Sequence, residues 1–403
     1  MTEREKNPPS RCVHERTMTK MKRVAGFSLI ELMISLALGS VVTMGVVQLF
    51  VANAETHRLL QGQSRMQESA RFALDFIGRD VRKAGYRGCF SSNDNLHTTL
   101  LSMASVPYEY DIRNGITGFE ATGESEWTPA IRNVLPYTSA SGTDTNVFSL
   151  AADDYGIGNG INLDKIVSGT DIVTLRNLSS VERRIAAPLN TPLIDPVINI
   201  NIGWNEFRKD QLVMIHDCAQ ATIFRVTSMT PNLAGAASAA VQDLAIGHRT
   251  VDTDATANNS PQLNRGRVFQ VDAAISAIDS NTYYIQPGVG LNSRGQHPLS
   301  LWKKTSLEAP VELIEGVEDL QLLYGEDTDE DGVPNQYVAA HFVSDWSAVI
   351  TVRVTIVVNS IDDVGGSSVP THGCTVQHCN DSEATDGLLR RTFTQTMQLR
   401  NHS

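Results

Sequence analysis

The chain has 403 residues, with 33 Lys and Arg against 45 Asp and Glu and a formal net charge of −12. That length supports one large or two modest folded bodies with a sizeable core. The acidic balance argues against nucleic-acid binding, which needs a basic face. Residues 1–20, MTEREKNPPSRCVHERTMTK, are polar and aperiodic. Met21 opens a second possible start with the six-residue piece MKRVAG, so the upstream segment is either a misassigned start at Met1 or a long cytoplasmic leader. From Phe27 to Ala52 the chain is apolar for 26 residues, and Glu31 is the only ionisable group. About 20 helical residues cross a bilayer core at roughly 1.5 Å each. An acid near the start of such a span costs on the order of 2.5–3.5 kcal/mol on insertion scales, which marks Glu31 as a functional candidate. Lys20, Lys22 and Arg23 put the start of the run on the cytoplasmic side.

The order of the parts separates this segment from a secretory signal peptide, in which the small residues follow the apolar core. Here Gly26 precedes it, so cleavage would remove the charges and keep the helix. The block Gly26-Phe27-Ser28-Leu29-Ile30-Glu31-Leu32 resembles a type IV prepilin signal; the bland alternative is a plain signal anchor. The resemblance implies cleavage between Gly26 and Phe27 and N-methylation of Phe27 by a prepilin peptidase/methyltransferase. It makes Glu31 the fifth mature residue. Its carboxylate, costly in a dry helix bundle unless paired, would meet the free amine of Phe27 on a neighbouring subunit and fix axial register. The competing role is a solvated carboxylate at the membrane interface. Removal of residues 1–26 leaves 377 residues with a net charge of −16.

Apolar side chains continue at Leu59, Met66, Ala70, Ala73, Ile77 and Val81, mostly three or four apart, with Phe72 and Phe76 widening the stripe. This predicts one helix from Phe27 to about Ala84, roughly 87 Å long, with a membrane part at 27–52 and Gly85 as its stop signal. The domain plan is a leader (1–26), a helix (27–85) and a β-rich head (86–403). Loop-rich insertions are expected at about 91–165 and 230–262. Strands are expected at Asp171–Leu175, Gln211–Ile215, Thr222–Thr227, Arg267–Val271, Thr282–Ile285, Leu301–Lys303, Val317–Tyr324, Val349–Val358 and Thr392–Leu399. The fold class is therefore α+β.

Without the leader, Cys89, Cys218, Cys374 and Cys379 remain, an even number that suggests two disulfides in an exported domain. Of three pairings, a local Cys374–Cys379 clip and a long Cys89–Cys218 staple are favoured. His372 and His378 beside the local pair also make a zinc site conceivable, although an oxidising compartment favours the disulfide. The stretch Asp327-Thr-Asp329-Glu-Asp331-Gly332-Val-Pro-Asn335 has the front half of an EF-hand-like loop, with acids at positions 1, 3 and 5, glycine at 6 and Asn335 at 9. Position 12 is Val338 instead of a bidentate Glu. The two readings are a calcium site and a solvated acidic turn. No G-x-S-x-G, H-E-x-x-H or P-loop is present, and the single histidines 216, 248, 297 and 341 read as structural, so no catalytic centre is expected.

The phrases at 71–89, 216–227, 313–332 and 398–401 resemble the PilW-type minor pilins, and the GVEDLQLLY strand is shared with the minor pseudopilin J of type II secretion. The resemblance implies a type IV pilin fold and a minor pilin in the inner membrane and then in a pilus. Its partners would be other minor pilins and the major pilin, with no nucleic acid. Two other functions stay open: a minor pseudopilin, or a pilus-borne adhesin or calcium-dependent binding head.

Overall fold

The computed structural model describes residues 28–401 apart from 91, 101–105, 107, 124–125, 130–160, 162–164, 190–196, 202–206, 208–210, 233–242, 248–262, 264–266, 307 and 365–386. Helix α1 spans Leu29–Lys83. The strands are β1 (Leu96–Thr98), β2 (Ile116–Gly123), β3 (Glu126–Thr128), β4 (Ile172–Leu178), β5 (Arg183–Arg184), β6 (Val197–Asn201), β7 (Leu212–His216), β8 (Ala221–Arg225) and β9 (Ser228–Asn232). They continue as β10 (Asp243–Gly247), β11 (Ala274–Pro287), β12 (Leu299–Thr305), β13 (Val311–Glu315), β14 (Val317–Glu326), β15 (Gln336–Val338), β16 (Val349–Asn359) and β17 (Arg390–Gln398). A helix followed by β structure is the α+β arrangement that the sequence implies.

The chain divides into two compact units, residues 1–56 and 57–403. The first, as far as it is described, is helix alone. Its large apolar side chains, from Leu29 to Val51, are each at least half exposed. The second holds the rest of α1 and all the strands. Its helical part buries Met66, Ala70, Ala73, Leu74, Ile77 and Val81 against Val173 and Leu175 of β4, Tyr283 and Ile285 of β11, and the inner faces of β14 and β16. Here the stripe from Met66 to Val81 is core packing, whereas Leu59, Phe72 and Phe76, which the sequence reading added to it, stay exposed.

The largest sheet runs β1-β8-β7-β11-β4-β2-β3, with β5 and β12 branching from β11 and β13 pairing with β12. A second sheet, β15-β14-β16-β17, is antiparallel throughout. The helix stops where Gly85 takes φ +77°, which a side chain would strain, and the Gly85 N–H then donates to the Arg176 carbonyl at 2.8 Å.

Four expectations need correction. Residues 91–165 are not all loop: β1, β2 and β3 lie there, and β2 pairs with β4 inside the main sheet. The β2 sequence, ITGFEATG, has weak strand propensity, and tertiary pairing overrides it. Residues 230–262 are not all excursion either, because β9 and β10 complete a three-stranded sheet with β6. Arg267–Val271 forms no strand; Phe269 instead plugs a small core with no exposure. Thr282–Ile285 is the tail of a 14-residue β11 whose buried Ser276, Ser280 and Asn281 hide it from an apolar count.

Candidate assembly and processing site

Gly26 and Phe27 lie outside the described residues. Glu31 lies in the first turn of α1, where its Oε2 accepts the Ser28 N–H at 3.2 Å. The hydroxyls that follow turn back onto the helix. Ser35 donates to the Glu31 carbonyl at 2.6 Å, Ser40 to Ala37 at 2.8 Å and Thr43 to Gly39 at 2.7 Å. Internal satisfaction of polar groups is the condition for a helix in hydrocarbon. The helix is long and apolar enough to cross a membrane.

Cys89 and Cys218 are joined in a disulfide, with Cα atoms 4.9 Å apart and a sequence separation of 129. It ties the segment just after α1 to the β7–β8 turn. Cys374 and Cys379, with His372 and His378, lie outside the described residues.

Asp327, Asp329 and Asp331 bring one carboxylate oxygen each to within 4.8 Å of one another, Asp327 buried and the other two exposed. The turn satisfies much of this itself. The Gly332 and Asp331 N–H groups donate to Asp327 at 2.7 and 3.2 Å, and Val333 N–H to Asp331 at 2.8 Å. Burial pulls the Asp327 carboxyl up, but these hydrogen bonds outweigh it and hold the group below the usual carboxylate range. Asn335 presents its amide nitrogen to Asp329 at 3.1 Å, while its oxygen accepts from Thr328 N–H at 2.6 Å. Val338, at position 12, belongs to β15. The three carboxylates converge as a cation site needs, while the turn's own hydrogen bonds already engage Asp327 and Asn335 and position 12 offers no carboxylate, so the calcium site and the solvated acidic turn both stay open. Glu326 latches the base of this turn: its Oε1 accepts from Ser344 N–H and hydroxyl, both at 2.8 Å, and its Oε2 from Gln336 at 2.9 Å.

Two arrangements escaped the sequence reading. Asp80, on the helix, accepts from the Tyr283 hydroxyl at 2.6 Å and from Lys303 Nζ at 2.8 Å, joining α1 to β11 and β12. Burial and then the Asp80 charge push the Tyr283 hydroxyl far above its ordinary range. Nearby, burial raises Asp279 to about 6. The only signal in the sequence is an acid set between Ile77 and Val81. The second arrangement is a buried polar seam on the sheet face away from the helix. Thr117, Thr174, Thr282 and Lys304 stand in register across β2, β4, β11 and β12. Arg176 reaches from it to the Tyr108 carbonyl at 2.8 Å and lies 4.2 Å over the Tyr108 ring, pinning the Tyr108–Tyr110 turn. Beside it, burial raises the Glu109 carboxyl against the pull of Lys304 and Arg176. His216 Nε2 lies 3.3 Å from Ser276 Oγ, and both side chains are buried.

Residues 282–401 match the family described as Type IV Pilus-assembly protein W, and residues 21–47 match the prokaryotic N-terminal methylation motif. The first region runs from the second half of β11 through β17; the second covers the candidate cleavage point, Glu31 and the opening turns of α1. No curated protein and no solved structure gives a significant match. With the long apolar helix and the β-rich region behind it, the two matches support a PilW-like type IV pilin.

Proposed function

We propose that the chain is a minor pilin of type IV pilus biogenesis. The prepilin peptidase/methyltransferase cuts between Gly26 and Phe27 and methylates Phe27. Before assembly the protein sits in the inner membrane as a single-pass chain with its head in the periplasm. It then joins other minor pilins at or near the pilus tip, primes assembly of the major pilin and so supports twitching motility and adhesion. The chain is a substrate of processing and not itself a catalyst.

The observation that carries this reading is a helix whose apolar residues from Leu29 to Val51 are exposed and whose only acid within that stretch, Glu31, lies in its first turn. Such a surface is stable only when covered, and sister helices with a paired amine cover it. Deleting the gene should abolish or sharply reduce surface pili while major-pilin synthesis continues; normal piliation would refute the proposal. The GVEDLQLLY strand, which forms β14, supports a second reading as a minor pseudopilin. In that case deletion would stop exoprotein release and leave twitching intact.

A further inference from the structure

The four residues Ser28-Leu29-Ile30-Glu31 have the S-x-x-E spacing of a capping box, in which an acid at the third helical position reaches back to the N-cap amide. The structure has that bond. Ser28 lies just before the helix, its carbonyl takes the first helical hydrogen bond from Leu32 N–H at 3.1 Å, and its own N–H donates to Glu31 Oε2 at 3.2 Å. One carboxylate oxygen is thus committed within the chain. Oε1 has no partner among the described residues.

We infer that Glu31 is the N-terminal cap of its own helix, and that this cap keeps the first turn folded once the leader has been removed. The physical need arises on cleavage. The first N–H groups of a helix and its macrodipole make that end positive. Cutting before Phe27 adds an ammonium one residue ahead of Ser28, at the end where positive charge is least welcome. Glu31 answers both, by accepting the Ser28 amide and by placing a negative charge in the first turn. Its Oε1 remains for an amine from outside. Capping and intersubunit pairing are then successive uses of one carboxylate: the first orders the end that the second recognises. This rests on the cleavage proposed above, and the two are separable because glutamine fills the same place in a capping box while carrying no charge.

The test uses the cleaved full-length chain in detergent micelles, labelled with nitrogen-15 at leucine and isoleucine so that Leu29, Ile30 and Leu32 report the first turn. In Glu31→Ala these amides should exchange about fivefold faster, the population change expected on losing a helix cap, and their carbon shifts should move toward coil. Glu31→Gln keeps the acceptor but loses the charge, so its exchange should fall between those of the parent and Glu31→Ala. Parent-like exchange in Glu31→Ala, or equal loss in both variants, overturns the cap. Filament incorporation of Glu31→Gln separates the readings. A capped variant left out of filaments supports the charge pair, and a capped variant incorporated normally removes the pair while the cap stands.

Discussion

The two parts of helix α1 use the same side-chain chemistry for opposite ends. Leu38 and Val47 stand 63% and 55% exposed, whereas Ile77 and Val81 are exposed by 1% or less. The first part is apolar all round and the second is amphipathic; what lies against their apolar side chains then decides which are buried. The second part meets sheet faces inside its own chain and gains burial there, roughly 25 cal/mol for each Å² of apolar surface covered. The first part has apolar surface that the described residues leave uncovered. A helix can therefore be folded in one stretch and incomplete in another.

The largest expected break in this contrast comes from the covalent tie. Replacing Cys89 and Cys218 together by serine should lower head stability by about 4–5 kcal/mol, because a loop of this length loses that much chain-entropy restraint. Denaturant melts of the oxidised parent and the double variant measure it. Next, Asp80→Ala leaves the Lys303 ammonium without its carboxylate and the Tyr283 hydroxyl with only its longer bond to the Phe76 carbonyl, a loss on the order of 3 kcal/mol. Leu38→Ala, a comparable truncation in the exposed stretch, should leave the same melt unchanged. If both variants shift it alike, the two regimes are one.

Asp279 sharpens the contrast in the opposite direction. Its carboxyl rises from 3.8 to about 6, chiefly through burial. A raised acid value means that the folded state holds the proton more tightly than the unfolded chain. The group costs nothing below about pH 4, destabilises progressively as pH rises to 6, and carries the full cost above that. The difference corresponds to about 3 kcal/mol. Asp279→Asn should therefore stabilise the head at pH 7 and flatten its stability profile between pH 4 and 6, as urea titrations across that range would show. The smallest effect concerns the acidic turn. Since Asp327 and Asn335 are engaged within the loop, millimolar calcium should move the head's Tm by less than about 1 °C; a larger shift would mean that the turn rearranges around an ion.

Much of this was legible in the sequence where one physical signal dominated. The VITVRVTIVV run of β16 is rich in β-branched residues and buried on both faces, and the 3.6-residue periodicity from Leu59 to Val81 marks the packed helix. Legibility failed where partners far away in sequence supply the stability. The glycines of β2 make sense only beside β4, and the serines of β11 only within a seam that Arg176 and Lys304 complete. At the N-terminus, sequence alone pointed to Glu31 through its cost in an apolar setting. It did not disclose that the carboxylate has a bond at home, because the same four residues read equally well as a processing signal.

The disulfide also has a mechanical meaning. A pull along the helix first meets the Met66–Val81 packing, and once that gives way it would peel the chain forward from Gly85 toward β1. The Cys89–Cys218 bond intercepts that path four residues later and passes the pull sideways into β7 and β8, near the middle of the largest sheet. Unravelling then requires shearing a sheet instead of unzipping a tail, and a reduced head would yield at lower force.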